Sequence, residues 1–169
     1  DVASEIGGGI TPAAAPWADM LYAADQRWWM YYSQQALKFP GLKVTASDGP
    51  FPVVKELRVT GNEGYDPAPG TIRTGGNSSY QATHIAAQAG ASRILLCGVD
   101  LHIKNGIHHH GPHPSRLRNP NACDLKNMIN RFRSLSAPMK KLGIEVLSCS
   151  PGSALDAFPY MHIEEALSA

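Results

Sequence analysis

Cysteine is scarce in this sequence, and its spacing excludes the common cysteine-based scaffolds. The chain has 169 residues and three cysteines, Cys97, Cys123 and Cys149, none of which forms a C-x-x-C pair. Neither a disulfide framework nor a zinc ribbon is therefore indicated. Cys97 and Cys149 lie in short apolar runs, so we expect both to be small buried core residues. A reducing cytoplasm is the compartment that this composition favours.

Long apolar runs and an excess of charge of either sign are also missing. No apolar run reaches the length of about 18 residues that a membrane span needs, and the N-terminus lacks the pattern of a signal peptide, so we expect no membrane contact. Fifteen Lys and Arg residues against fourteen Asp and Glu residues argue against a nucleic-acid partner. We interpret a local group of basic residues as a solvated helix face rather than an anion-binding patch: Arg116, Arg118, Lys126, Arg131, Arg133, Lys140 and Lys141.

Two well-known catalytic motifs are absent as well. The chain has no G-x-x-x-x-G-K-[ST] loop and no G-x-S-x-G elbow, which leaves P-loop ATP hydrolysis and serine-based hydrolysis without support. Its length corresponds to one domain. We divide it into an irregular N-terminal segment over 1–15, rich in Gly and Ala, and a single α/β, nucleotide-binding-like domain over 16–169. Because the chain begins at Asp1 without a methionine, we expect a fragment or a processed product.

The sequence does contain an alternation of strand-like and helix-like segments. Short apolar segments predict strands over 19–25, 42–45, 53–59 (an edge or hairpin strand), 93–97 and 144–149. Helical patterns cover 26–38, 78–89, 124–142 and a short amphipathic stretch within 159–169. Pro138 should kink or split the third helix. This alternation predicts an α/β fold with a mostly parallel sheet and helices on both faces.

The glycine-rich loop before the second long helix is the most informative motif. It reads Gly75-Gly76-Asn77-Ser78, and Asn77 or Ser78 can cap the helix by accepting a backbone N–H. The glycines leave the other free N–H groups uncovered, and the helix start carries partial positive charge. Such a site suits phosphate or carboxylate. The loop therefore predicts binding of an anionic small molecule, foremost a nucleotide.

Other polar or small residues follow predicted strands and are expected at the same edge of the sheet. In open parallel sheets, ligands bind outside the carboxyl ends of the strands. This rule adds further candidate ligand-binding residues to the glycine loop, namely Asp25, Asp100, Ser150, Gly152 and Ser153. Asp25 and Ser153 have a second interpretation as helix caps, which we favour. Asp100 has a second interpretation as a turn cap.

Five of the seven histidines fall between His102 and His113, in a long irregular segment. One interpretation is simply a polar loop. In a second, His110 or His113 is a general base or acid, since imidazole changes charge near neutral pH. In a third, Asp100, His102 and His108 bind a divalent metal such as zinc, manganese or iron, the one candidate cofactor that the sequence suggests.

Several motifs resemble a group of uncharacterised proteins from bacteriophages and prophages. They are 15–25 with Trp28-Trp29, Gly75-Gly76-Asn77-Ser78, Gly98-Val99-Asp100, 108–114 with Leu117-Arg118-Asn119, and 148–155 with Phe158-Pro159. More distantly, Asn77-Ser78, the Ala-rich helix and Gly98-Val99-Asp100 are similar to the corresponding segment of bacterial sialyltransferases and of hydroxymethylpterin diphosphokinase-like proteins.

The resemblance implies a Rossmann-like nucleotide-binding fold in the cytoplasm of a bacterial host. It implies that the glycine loop lies near the phosphate or the sugar of the nucleotide. The similar families also carry an earlier strand that ends in a Gly-x-Gly-Pro-Ser-type loop. Gly7-Gly8-Gly9 is at most a remnant of that loop, so we expect the sheet to lack its first strand.

These observations lead to three hypotheses of function. The first is a nucleotide-binding transferase-like protein that acts on a nucleotide-activated sugar, with a loop histidine transferring a proton. The second is a metal-dependent phosphoester hydrolase that uses the Asp and His residues. The third is a non-catalytic phage remnant or interaction protein. The aromatic run Trp28-Trp29 and Tyr31-Tyr32 would then be core or the contact of a homo-oligomer.

Overall fold

The computed structural model of the chain describes residues 16–46, 51–103 and 119–168. Within these ranges the order of elements is β1 (Met20–Tyr22), α1 (Gln26–Tyr31), α2 (Ser33–Ala36), β2 (Leu42–Thr45), β3 (Val54–Glu56), β4 (Arg58–Gly61), β5 (Thr71–Arg73), α3 (Ser78–Gln88), β6 (Arg93–Leu96), α4 (Ala122–Lys141), β7 (Glu145–Ser148) and α5 (Ile163–Ser168). The predicted irregular segment 1–15 lies outside the described residues. Among the described helices, none has the length and apolar character that crossing a membrane would require.

Every pairing between these strands is parallel, which confirms the predicted α/β class. The strands form a three-stranded sheet in the order β1-β2-β3 and two two-stranded sheets, β4-β5 and β6-β7. In the last sheet Ile94 lies opposite Val146, and Leu96 lies opposite Ser148. Because paired strands run in one direction, the loops that follow them leave each sheet at the same edge.

The β6-β7 sheet has helices on both of its faces. Successive side chains of a strand point to opposite faces. Ile94 and Leu96 therefore pack in one cluster with Phe132 of α4, while Leu95 packs in another cluster with Ala166 of α5. Helix α3 contributes Tyr80 to the first of these clusters.

The first sheet is connected to helix α3 by a buried hydrogen bond. The Tyr22 hydroxyl donates to the side-chain oxygen of Gln81, at 2.9 Å. Tyr22 also packs with Ile72 of β5 in a small apolar cluster. On the other side of the first sheet, Trp29 is fully buried, and its indole N–H donates to the carbonyl of Ala23 at 2.9 Å.

The prediction of one edge or hairpin strand over 53–59 is wrong. The segment forms two short strands, β3 and β4, that belong to different sheets. Leu57 lies between them, and its N–H donates to the carbonyl of Thr45 at 2.8 Å. Strand β3 thus adds to β2 in parallel, whereas β4 pairs with β5, a strand that the sequence pattern did not predict because prolines and glycines precede it.

Two helices also differ from their predictions. The helix expected over 26–38 is divided at Tyr32, whose φ of −100° and ψ of 16° fall outside the helical region. Helix α4 is not split by Pro138 and continues through it to Lys141. The side chains on either side of the proline, Leu135 and Met139, are both buried, and their packing holds the helix in place.

One cysteine does not occupy the core as predicted. Cys149 is buried, but Cys97 is exposed. Strand β6 ends at Leu96, so Cys97 lies just beyond the part of the strand that the helices cover.

Candidate functional site

Helix α3 begins after two glycines that turn the chain away from β5. Gly75 and Gly76 have φ values of 54° and 77°, in the left-handed region that favours glycine. A Cβ on Gly75 would overlap the ring of Tyr80, so this position accepts no side chain. Of the two predicted caps, Asn77 takes the role: its side-chain oxygen accepts the N–H of Tyr80 at 2.8 Å. Ser78 is the first residue of the helix.

The start of α3 leaves several backbone donors free. The N–H of Gly75 donates to the carbonyl of Asn62 at 2.9 Å. The N–H groups of Gly76, Ser78 and Ser79 have no acceptor in the described part of the chain. Free amides at the positive end of a helix attract anions. The loop thus has the donors that the sequence predicted.

Arg131 of helix α4 lies against this loop. A Cβ on Gly76 would overlap a terminal nitrogen of the Arg131 guanidinium, so the absence of a side chain at Gly76 is what lets the cation approach the backbone. Arg131 is half-buried, and no described residue forms an ion pair with it. A guanidinium cation therefore flanks the free amides. The sequence pattern predicted Arg131 on a solvated helix face, whereas its nearness to Gly76 is a tertiary contact that the pattern does not show.

Helix α4 is attached to the loop between β4 and β5 next to Arg131. The Ser134 hydroxyl donates to the carbonyl of Arg131 at 2.6 Å and accepts the N–H of Gly64 at 2.8 Å. The hydroxyl of Tyr80 donates to the carbonyl of Gly64, also at 2.8 Å. One acidic side chain, Glu63, lies close enough to contribute to a raised pKa of Tyr80, although burial is the main cause.

The same loop is fastened to α3 by a buried histidine that sequence reasoning missed. His84 has no exposed surface, and its Nε2 accepts the N–H of Asp66 at 2.9 Å. Burial lowers the pKa of His84 from 6.5 to about 4; Arg73 adds to this effect, and the carboxylate of Asp66 opposes it. The imidazole is therefore neutral at pH 7. Its role is to hold the loop.

A pattern in the sequence could have revealed these hydrogen bonds between α3 and the loop that joins β4 to β5. Gln81, His84 and Gln88 follow a spacing of three and then four residues, which places them on one face of α3. Such a polar stripe next to apolar residues indicates buried partners. In the structure, the side-chain amide of Gln88 donates to the carbonyls of Asp66 and Thr71, at 2.9 and 3.1 Å.

The turns that follow β6 and β7 are bound to each other, as the rule on strand ends predicted. The Ser150 hydroxyl accepts the N–H of Val99 at 2.9 Å. The Ser153 hydroxyl donates to the carbonyl of Val99 at 2.6 Å and accepts the N–H of Leu155 at 3.0 Å. Ser153 therefore caps no helix, contrary to the prediction, because the next helix begins only at Ile163.

Asp100 and Gly152 lie in these two turns. The backbone carbonyl of Asp100 accepts the N–H of Ala154 at 2.8 Å, and the residue itself is exposed. Gly152 has a φ of 73°. Leu101, next to Asp100, has a φ of 51°, an uncommon value for a residue with a side chain. Its packing against the main core cluster holds this strained turn.

Except for Asp25, the predicted ligand-binding residues form two groups. Both groups lie over the same core cluster. Tyr80 beneath the glycine loop and Val99 and Leu155 beneath the strand-end turns belong to the same cluster. Asp25 instead caps α1, where its carboxylate accepts the N–H of Arg27 at 2.8 Å. It is followed by Trp28, which packs in a different cluster. The favoured interpretation of Asp25 as a helix cap is thus confirmed.

Most of the residues predicted to bind a metal or to transfer a proton lie outside the part of the chain that the structure describes. His108, His110 and His113 lie outside the described residues, so their roles stay predictions. Asp100 and His102 are described. Across 16–46, 51–103 and 119–168, no group of three or more His, Cys, Asp or Glu side chains is arranged to hold a metal ion.

Since no protein-family model, curated protein or solved structure matches this chain, its function is interpreted from its own residues. The resemblance to phage proteins and to sialyltransferase-like enzymes therefore stays a prediction.

Proposed function

We propose that the protein binds the phosphate groups of a nucleotide at the start of α3. In this proposal it is a transferase-like protein that acts on a nucleotide-activated sugar. The observation that carries the proposal is the meeting of Arg131 with Gly76 beside free backbone amides. A guanidinium and a row of N–H groups together match the charge and the oxygens of a phosphate.

The energetics favour a di- or triphosphate over a single carboxylate. Each hydrogen bond to a charged group contributes about 1.5–3 kcal/mol, and a nucleotide diphosphate has enough oxygens for the amides and Arg131 at once. The strand-end turns supply Asp100, an exposed carboxylate that suits a sugar hydroxyl.

The fold supports the proposal in a general way. Parallel strands with helices on both faces of the β6-β7 sheet fit a Rossmann-like arrangement. In such folds ligands bind outside the carboxyl ends of the strands. In this proposal His110 or His113 transfers the proton, and replacing the one that does so with Ala lowers the turnover of a nucleotide sugar by about 10²–10⁴-fold, while nucleotide affinity persists.

Calorimetric titration with CMP, CDP, UDP, GDP and their sugar conjugates tests the binding step. We expect micromolar affinity for at least one of them. Arg131→Gln should weaken it by about tenfold or more, which corresponds to ~1.4 kcal/mol. The matched control is Arg133→Gln, two residues along the same helix. Arg133 is occupied by Asp156 through a bidentate ion pair, so this variant should bind as the wild type does.

Two results would contradict the proposal. One is the absence of binding heat with every nucleotide at high protein concentration. The other is an equal loss of affinity in the Arg131 and Arg133 variants, which would indicate a general charge effect. If no nucleotide binds, elemental analysis of tag-free protein separates the two alternative functions. Bound zinc, manganese or iron supports a metal-dependent phosphoester hydrolase, and a metal-free protein supports a non-catalytic interaction protein.

A further inference from the structure

Two cysteines lie opposite each other where strands β6 and β7 end. The last paired residues of these strands are Leu96 and Ser148. The ladder continues one step further, because the N–H of Cys149 donates to the carbonyl of Leu96 at 2.9 Å. Cys97 and Cys149 are therefore neighbours across a parallel pair. Sequence spacing alone gave no reason to pair them.

The geometry of neighbouring strands suits a disulfide. Paired strands lie about 4.8 Å apart, within the range of roughly 4.4–6.8 Å between Cα atoms that disulfides use. Residues opposite each other in a parallel pair also place their side chains on the same face. Each of the two thiols influences the pKa of the other, as expected of sulfur atoms in proximity.

The two thiols differ in access to solvent. Cys97 is exposed, whereas Cys149 is buried and packs with Leu147 and Ala166. Desolvation raises the pKa of both thiols, which keeps them protonated at neutral pH and slows their oxidation without preventing it. Peroxide can reach Cys97, and Cys149 is the neighbouring thiol that can resolve its sulfenic acid, two of the features typical of redox-sensing pairs.

We propose that Cys97 and Cys149 form a redox-sensitive dithiol, which hydrogen peroxide converts into an intrachain disulfide. The Cys97 thiolate attacks peroxide: an S–O bond forms, the O–O bond breaks, and hydroxide leaves and takes up the thiol proton as water. The Cys149 thiolate then attacks the sulfenic sulfur, so that an S–S bond forms and the S–O bond breaks; hydroxide leaves and takes up the proton of the Cys149 thiol as a second water. Sulfur is oxidised and peroxide is reduced. The bond would cross-link the strand ends from which the Val99 and Ser150 turns begin.

The test is thiol counting on the whole chain. Reduced protein is treated with peroxide, unfolded, alkylated with N-ethylmaleimide and weighed by mass spectrometry. We expect the number of labelled cysteines to fall from the three in the sequence to one, Cys123, and the chain to lose about 2 Da for the two hydrogens removed. Peptide mapping should show Cys97 linked to Cys149, and dithiothreitol should restore all three labels.

Variants at the two exposed cysteines complete the design. Cys123→Ser should still form the bond and retain no labelled thiol after oxidation. Cys97→Ser removes an exposed sulfur and leaves the core intact, so Cys149 should remain fully labelled. The proposal is overturned if peroxide leaves all three thiols of the wild type reactive, if Cys123 enters the linkage, or if Cys97 accumulates as sulfinic acid while Cys149 stays free.

Discussion

At the scale of the residue, His84 shows how a structural imidazole differs from a catalytic one. Its Nε2 accepts the N–H of Asp66, so only the neutral ring fits. A proton on Nε2 would place a donor against a donor in a site without solvent. The pKa of His84 is accordingly lowered from 6.5 to about 4, mainly by burial. The histidines predicted to be catalytic belong to a different segment.

The lowered pKa of His84 predicts a stability that declines in mild acid. Because the folded-state pKa is below the unfolded one, the unfolded chain binds the proton first, and stability is lost as pH falls from 6.5 towards about 4. The free energy of unfolding should fall by about 2 kcal/mol from about pH 7 to about pH 5. Urea titrations at both pH values measure it.

His84→Gln should abolish most of this dependence, since an amide oxygen accepts the same N–H without titrating. His162→Gln is the control, because His162 is exposed and its ion pair with Glu164 lies at the surface, where such pairs contribute little. Identical pH dependence in the wild type and in the His84 variant would show that another group titrates.

At the scale of the element, helix α3 lies between two glycines that have different reasons to be glycine. Gly75 precedes the helix and Gly90 follows it, with φ values of 54° and 86°. A Cβ on Gly75 would overlap the ring of Tyr80, whereas nothing lies within 4 Å of a Cβ on Gly90. One glycine is thus required by backbone conformation and by space, the other by conformation alone.

Paired substitutions separate the two causes. Gly90→Ala should cost about 1–2 kcal/mol, the strain of a left-handed conformation. Gly75→Ala should cost a further 1–3 kcal/mol or so, because Tyr80 must move. Thermal or urea unfolding of both variants measures the difference. Equal losses would mean that Tyr80 rearranges freely and that the start of α3 is not preorganised.

At the scale of the whole molecule, the largest buried cluster of the described residues joins segments that are far apart in the chain. Phe132 of α4 has no exposed surface, and its ring meets those of Tyr80 and Phe158 edge-on, with centroids 5.4 and 6.4 Å apart. Phe132 thus supports both groups of candidate ligand-binding residues. Damage to this cluster should loosen the glycine loop and the strand-end turns together.

Phe132→Ala tests this dependence. Deleting a buried aromatic ring should lower the free energy of unfolding by about 3–5 kcal/mol. Leu142→Ala, at the end of the same helix, removes a side chain that is 49% exposed and should cost less than about 1 kcal/mol. Chemical denaturation of both variants gives the comparison. A loss below about 1 kcal/mol for Phe132→Ala would contradict the central position of this ring.

Much of the fold follows from local patterns. The strand over 42–45 and the helix that begins at Ser78 were predicted at the observed residues, since apolar runs and capping residues act within a few positions. The segment 53–59 was not, because only the hydrogen bond from Leu57 to Thr45 divides it between two sheets. In the candidate site, the glycine loop and a cap at Asn77 or Ser78 were predictable from the sequence. Arg131 was not identified as the cation beside them.

The sequence by itself determined the α/β class, the mostly parallel pairing and a helix cap at Asn77 or Ser78, because periodicity, glycine conformation and capping depend on residues close together in the chain. Only the tertiary structure decided that Arg131 meets Gly76, that His84 is neutral and that Cys97 lies opposite Cys149. Those contacts join distant segments, and their energies depend on which faces of the helices and strands are buried against one another.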